Sequence, residues 1–163
     1  MKNLTTILCL SLTLLLGSIG NSESADFQKG LTAAHSGDFA TALREWIPLA
    51  EQGDAGAQNN LGQMYRRGQG VPQDYKTAVK WYRLAAEQGD AYAQGNLGMM
   101  YAFGDGVLKD YVYAHMWGNI AAKNGNKNGV KLRDYVEKKM TSADISAAQK
   151  LARKCVRKKY KGC

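Results

Sequence analysis

Chemical landmarks are scarce in this chain. Its 163 residues include two prolines, two histidines and three cysteines. So little proline excludes a collagenous or proline-rich extended polymer, and 45% apolar with 22% charged residues excludes a wholly disordered one. His35 and His115 do not stand at zinc-ligand spacing from each other or from a cysteine, so no metal site is expected. No Gly-x-Ser-x-Gly elbow and no Ser-x-x-Lys occurs, which removes the usual signatures of an acyl-transfer nucleophile. The glycine-rich stretches at 68–70 and 104–106 lack the third glycine and the Lys-Ser/Thr ending of a phosphate loop. The residues therefore point to no catalytic constellation and no cofactor.

Long apolar runs are also missing, with one exception at the start. Lys2 precedes the uncharged, leucine-rich stretch from Leu4 to Leu16, and small or polar residues follow from Ser18 to Ala25. That run falls short of the roughly 20 residues needed to span a bilayer, and its layout is that of a secretory signal. Residues 1–25 are read as a signal peptide, with the mature chain starting at Ala25 or Asp26. Cys9 is preceded by Leu8 instead of small residues, so it does not fit a lipoprotein signal and is expected to leave with the segment. Export places the mature protein in the periplasm or outside the cell. Cys155 and Cys163 are then an even pair in a compartment that permits disulfides, and an intramolecular bond is expected, the alternatives being two free thiols or pairing between molecules.

What the chain does have is glycine, 18 of them, and they are placed periodically. AlaGlnAsnAsnLeuGlyGlnMetTyr at 57–65 returns as AlaGlnGlyAsnLeuGlyMetMetTyr at 93–101, an offset of 36 residues. The same offset carries Gly68 to Gly104, Asp74 to Asp110, Tyr75 to Tyr111, Ala78 to Ala114, Trp81 to Trp117 and Gly89 to Gly125. Upstream, AlaGluGlnGlyAspAla at 50–55 matches 86–91, with a shorter turn, SerGlyAsp at 36–38, in the first unit. Each unit reads as two helices, because Ala57, Leu61, Met64 and Tyr65, then Ala78, Val79, Tyr82, Ala85 and Ala86, recur at helical spacing. Gly62 and Gly98 fall inside helices, where glycine costs about 1 kcal/mol relative to alanine. Close approach of a neighbouring helix is the expected compensation, with Tyr65, Trp81, Tyr82 and Tyr101 filling the spaces between pairs. The recurring Asp54 and Asp90, Asp74 and Asp110 fit helix caps.

The charge is segregated. Residues 26–122 sum to −2, whereas residues 123–163 sum to +10. Within that last quarter, Val130, Leu132, Tyr135, Val136 and Met140 suit an amphipathic helix. Thr141 with Asp144 resembles a capping box before Ile145, Ala148, Leu151 and Ala152. These apolar residues are expected to cover the open end of the stack, leaving Lys150, Arg153, Lys154, Arg157, Lys158, Lys159 and Lys161 in solvent. Two readings of that face stay open: a solubilising cap, or attraction to an anionic envelope surface. Nucleic acid is disfavoured, since no recognition motif accompanies the charge.

The pattern Ala-x-x-x-Leu-Gly-x-x-Tyr, then Gly-x-Gly-Val-x-x-Asp-Tyr-x-x-Ala-x-x-Trp, then Ala-Ala-x-x-Gly resembles the Sel-one-like repeat of the tetratricopeptide superfamily. The likeness covers 57–125 closely and 26–56 as a shorter, plain tetratricopeptide-like unit, with Leu108 standing where the previous unit has Pro72. It implies an all-α solenoid, a right-handed superhelix of helix pairs. The expected domains are a repeat domain over 26–125, with units 26–56, 57–92 and 93–125, and a basic helical cap over 126–163. It also implies an adaptor that holds a protein or peptide on its concave face. Carrying over the superfamily's concave positions gives Phe27, Leu31 and His35, then Asn59, Gln63, Arg66 and Arg67, then Tyr92, Met99 and Phe103. Asn60 and Asn96 recur one position beyond that row, either for a peptide backbone or for a bond between helices. Met99 and Phe103 have the alternative of burial beneath the cap. Some cysteine-rich relatives of this family resemble penicillin-binding or β-lactamase-like proteins. A cell-wall or β-lactam hydrolase is therefore the competing class, opposed by the missing nucleophile motif.

Overall fold

The structure is a computed structural model that describes residues 25–163. The expected signal segment, including Cys9, lies outside the described residues apart from Ala25. The described residues form helices and turns with no strand: α1 (Phe27–Ser36), α2 (Phe39–Glu51), α3 (Ala55–Arg67), α4 (Tyr75–Ala86), α5 (Ala91–Phe103), α6 (Tyr111–Lys123), α7 (Lys127–Glu137) and α8 (Ser142–Arg157). From α1 to α7 each helix packs on the next, which makes a helical solenoid. None of these helices is long and apolar enough to cross a membrane.

Local chemistry sets the helix boundaries. Asp26, Asp38, Asp54, Asp74, Asp90 and Asp110 each cap a helix, their carboxylates accepting backbone N–H groups of the first turn. Each such cap contributes about 1 kcal/mol. The matching C-terminal stops are Gly68 and Gly104, at φ 67° and 81°, where a side chain would be strained. Thr141 and Asp144 make a reciprocal capping box at the start of α8.

The mid-helix glycines are where bulky side chains enter. A Cβ on Gly62 would lie 2.6 Å from the ring of Tyr82, which is completely buried, and one on Gly30 would strike the Trp46 indole. Counting from the equivalent alanines Ala42, Ala78 and Ala114, the third unit has Gly118 where the others have Trp46 and Tyr82. Leu132 of α7 takes over instead, its methyl lying where a Cβ on Gly98 would meet it at 2.7 Å. The empty place at Gly118 lets two backbones meet: a Cβ on Gly129 would sit 2.7 Å from the Gly118 carbonyl oxygen. Thus α7 completes the third unit's core.

The last helix departs from expectation. Ala148, Ala152 and Cys155 of α8 are buried, but α8 packs along α6 instead of over the open end, with Ala152 and Cys155 in one cluster with Met116 and Ile120. The open end is taken by α7, so the apolar stripe of α8 seeks the remaining uncovered face of α6. Val130 and Tyr135, assigned to the buried side of α7, are 38% and 43% exposed, while Leu132 and Val136 are buried. Beyond α8, Lys159 and Tyr160 take left-handed backbone, at φ 51° and 67°, turning the tail back toward the repeats. There the Tyr160 hydroxyl lies 3.1 Å from the Asn124 amide nitrogen, and the Gly162 N–H donates to Glu87. The sulfurs of Cys155 and Cys163 stand at bonding distance, with Cα atoms 5.6 Å apart.

A recurring amide relay registers the units. Gln58 donates to the Ala50 carbonyl oxygen and accepts from Gln88; one period on, Gln94 donates to Ala86 and accepts from Asn124. Each relay ties the end of one unit to the start of the next and to the turn that follows that unit's second helix. Both central glutamines are buried.

Candidate functional site

The first helices of the units carry the expected binding row, and the structure divides that row into three environments. The first is a hollow of about 260 Å³ where α1 and α2 meet α3. Leu31 and His35 line it from α1, and Asn60, Gln63 and Arg67 from α3. Phe39, Trp46 and Met64 supply further apolar lining. This is an amphipathic recess, with amides and a cation from one helix set above apolar surface from its neighbours. Phe39 and Trp46 were not assigned to it from sequence, although the match of Ala42 with Ala78 places Trp46 at the position of Tyr82.

The second environment is the junction between α3 and α5. The Asn96 amide donates to the Asn59 side-chain oxygen at 3.0 Å, so these two amides bridge helices. Arg66 is half-buried, and its Nε and the Tyr82 hydroxyl are both buried without a hydrogen-bond partner among the described residues. Burial pushes the Tyr82 phenol above its ordinary pKa, opposed by the neighbouring cations Arg66 and Arg67, so the hydroxyl stays neutral at physiological pH.

The third environment is the α5–α7 end. Met99 is half-buried and packs against the cluster of Ala102, Ala114, Leu132 and Val136. Phe103 is 58% exposed, its ring 6.2 Å from that of Tyr135 on α7, and Tyr92 is 67% exposed near the start of α5. The hollow therefore unites Leu31, His35, Asn60, Gln63 and Arg67, and leaves Asn59, Arg66, Tyr92, Asn96, Met99 and Phe103 outside it.

Two buried ionisable side chains serve the scaffold. Glu45 accepts from the Asp26 N–H at 3.1 Å and pairs with Lys29 at 3.1 Å; these contacts hold its carboxyl below the ordinary carboxylate range. His115 is buried in α6, with Nε2 2.7 Å from Glu137 on α7. Among the described residues no group of three or more His, Cys, Asp or Glu is placed to hold a metal ion.

This architecture is that of a helical-repeat scaffold. The Sel1 repeat model matches residues 55–90 and 91–126, so the chain carries two Sel1 repeats, and such repeats generally serve protein interaction. It is similar to a protective antigen of uropathogenic Escherichia coli that displays an SLR fold, with 32% identity and a TM-score of 0.76. That match covers 80% of this chain and 30% of the antigen. A Sel1 repeat protein of Oxalobacter formigenes is also similar, with 32% identity and a TM-score of 0.65, covering 68% of this chain and 46% of the other. The chain thus spans less than half the length of either. No curated protein matches it.

Proposed function

We propose that this protein is a non-catalytic adaptor of the bacterial cell envelope that holds a peptide segment of a protein partner in the hollow between α1 and α3. The observation that carries this reading is the hollow itself: Asn60, Gln63 and Arg67 converge with Leu31 and His35 over apolar surface. Side-chain amides there can bond a peptide backbone, and the Arg67 guanidinium offers a forked, charge-assisted contact to a carboxylate. A peptide bearing an acidic and an apolar residue is the matching ligand class. Asn59 and Asn96, tied to one another, hold α3, which presents Asn60, Gln63 and Arg67, against α5. Export by the leader at 1–25 and an oxidised Cys155–Cys163 pair belong to the same reading.

The test is site-specific photo-crosslinking in cells from position 63. A partner is captured by the parent protein, lost with Arg67→Glu and retained with Lys150→Glu, which lies on α8 away from the hollow. Capture that ignores Arg67→Glu refutes the assignment. The intact mass of protein recovered from the envelope fraction checks the rest. It should lack the leader and be lighter than the dithiol form by two hydrogens.

A further inference from the structure

The cleft between α6 and α8 is a second recess, separate from the hollow above and larger, at about 320 Å³. Ile120, Ala152 and Val156 supply its apolar lining, and Lys123, Arg153 and Arg157 its charged lining. Clefts that hold small molecules begin at about 300 Å³ and combine mostly apolar walls with a few placed polar groups.

The charge here is unbalanced locally. From residue 123 onward the side-chain carboxylates are Asp134, Glu137 and Asp144. Asp134 pairs with Arg133, Glu137 meets His115 and Arg133, and Asp144 closes the capping box with Thr141. Among the described residues, Lys123, Arg153 and Arg157 have no carboxylate at ion-pair distance. Three cations thus border an apolar recess with no internal counter-charge.

The shape narrows the occupant. Both walls are helices whose mid-helix backbone groups already pair along their own axes, so they offer no ladder to an extended peptide. A flat bilayer would meet the exposed basic side chains but would not follow the cleft between the two helices down to the half-buried Val156 and the aliphatic stems of Lys123, Arg153 and Arg157 that line it. A single flexible hydrocarbon chain needs no hydrogen bonds along its length and can enter such a slot, leaving an anionic head among the cations. We propose that the α6–α8 cleft binds a single-chain anionic amphiphile, namely an acyl carboxylate.

The probe is dodecanoate, titrated calorimetrically into the purified protein below its micellar range. One molecule should bind per chain, whereas acetate, which has the charge without the chain, and dodecyl maltoside, which has the chain without the charge, should each bind about tenfold more weakly or worse. Arg153→Glu/Arg157→Glu changes two exposed side chains, so the helical circular-dichroism signal should be retained while affinity falls by about tenfold or more. Val156→Trp fills the slot and should also remove binding. The proposal is overturned if the charge-reversed protein binds dodecanoate as the parent does, or if acetate or dodecyl maltoside matches it. It is equally overturned if anionic phosphatidylglycerol vesicles or an acidic peptide bind at these cations while dodecanoate does not.

Discussion

The two amide relays are near-copies, and their difference in burial gives an internal control for the energetics. Gln94 donates to the Ala86 carbonyl oxygen at 3.1 Å and accepts from Asn124 at 2.9 Å; Gln58 makes the equivalent bonds to Ala50 and from Gln88 at 3.0 and 2.8 Å. Replacing either glutamine by methionine keeps the volume of the side chain and deletes both bonds. In each copy the carbonyl keeps a backbone donor, from Gly89 or Gly53, so it is not orphaned. The amides left behind differ: Gln88 is exposed and regains water, whereas Asn124 is half-buried against the Tyr160 hydroxyl. At about 0.5–1.5 kcal/mol net per bond, with more for a donor left dry, Gln94→Met should cost about 2–3 kcal/mol and Gln58→Met about 1 kcal/mol. Urea titration followed by the helical circular-dichroism signal measures both, and equal slopes show that the same unfolding is compared. Equal costs, or a greater cost at Gln58, would refute the argument that dehydration of the released amide sets the difference.

Other consequences follow from the same contacts. Gly62→Ala pushes a methyl into the Tyr82 ring, a rigid and fully buried neighbour, and overpacking of about 1–3 kcal/mol should outweigh the roughly 1 kcal/mol gained in helix propensity. At Gly98→Ala the nearest atom is a terminal methyl of Leu132, which can shift, so this variant should lose less stability than Gly62→Ala in the same titration. Glu45 is an acid whose folded pKa is depressed by the Asp26 N–H and by Lys29, so its stabilisation is present above the ordinary carboxylate range and is lost as pH falls through the depressed value. Urea midpoints across that acidic window should fall more steeply for the parent than for Glu45→Gln; parallel curves would contradict the assignment.

The repeats were legible because their determinants are local and recur. A glycine inside a helix, an aspartate before one and a glycine after one each answer a requirement set within a few residues, so the 36-residue offset exposed the helix pairs and their caps. The candidate site was legible in part. Superfamily positions named Gln63 and Arg67 together with Leu31 and His35, and the structure sets these four around one hollow; they could not say that Asn59 would bond Asn96 or that Met99 would pack against the α7 cluster, because those outcomes depend on which side chain arrives from the next helix. The Phe39 and Trp46 lining was hidden for a related reason: these residues belong to α2, and a reading confined to first helices does not see across the pair. The direction of α8 was beyond reach, since an amphipathic stripe tells how much apolar surface needs cover and not which neighbour provides it.

The glycine at 118 explains both how the stack ends and why its final helix goes elsewhere. In the first two units a ring from the second helix fills the gap under a glycine of the first, so each pair carries its own packing volume. The third pair lacks that ring and receives Leu132 from α7, and burial of such a side chain stabilises by about 1.5–3 kcal/mol. Leaving 118 without a side chain also admits the α7 backbone at contact distance, which a bulky residue there would forbid. With α7 seated against α5 and α6, the still uncovered apolar surface of α6, around Met116 and Ile120, becomes the available partner for Ala152 and Cys155. The same substitution that closes the solenoid therefore brings a strongly basic helix alongside α6, and the cleft, with three cations unpaired among the described residues, is a consequence of how the repeats terminate.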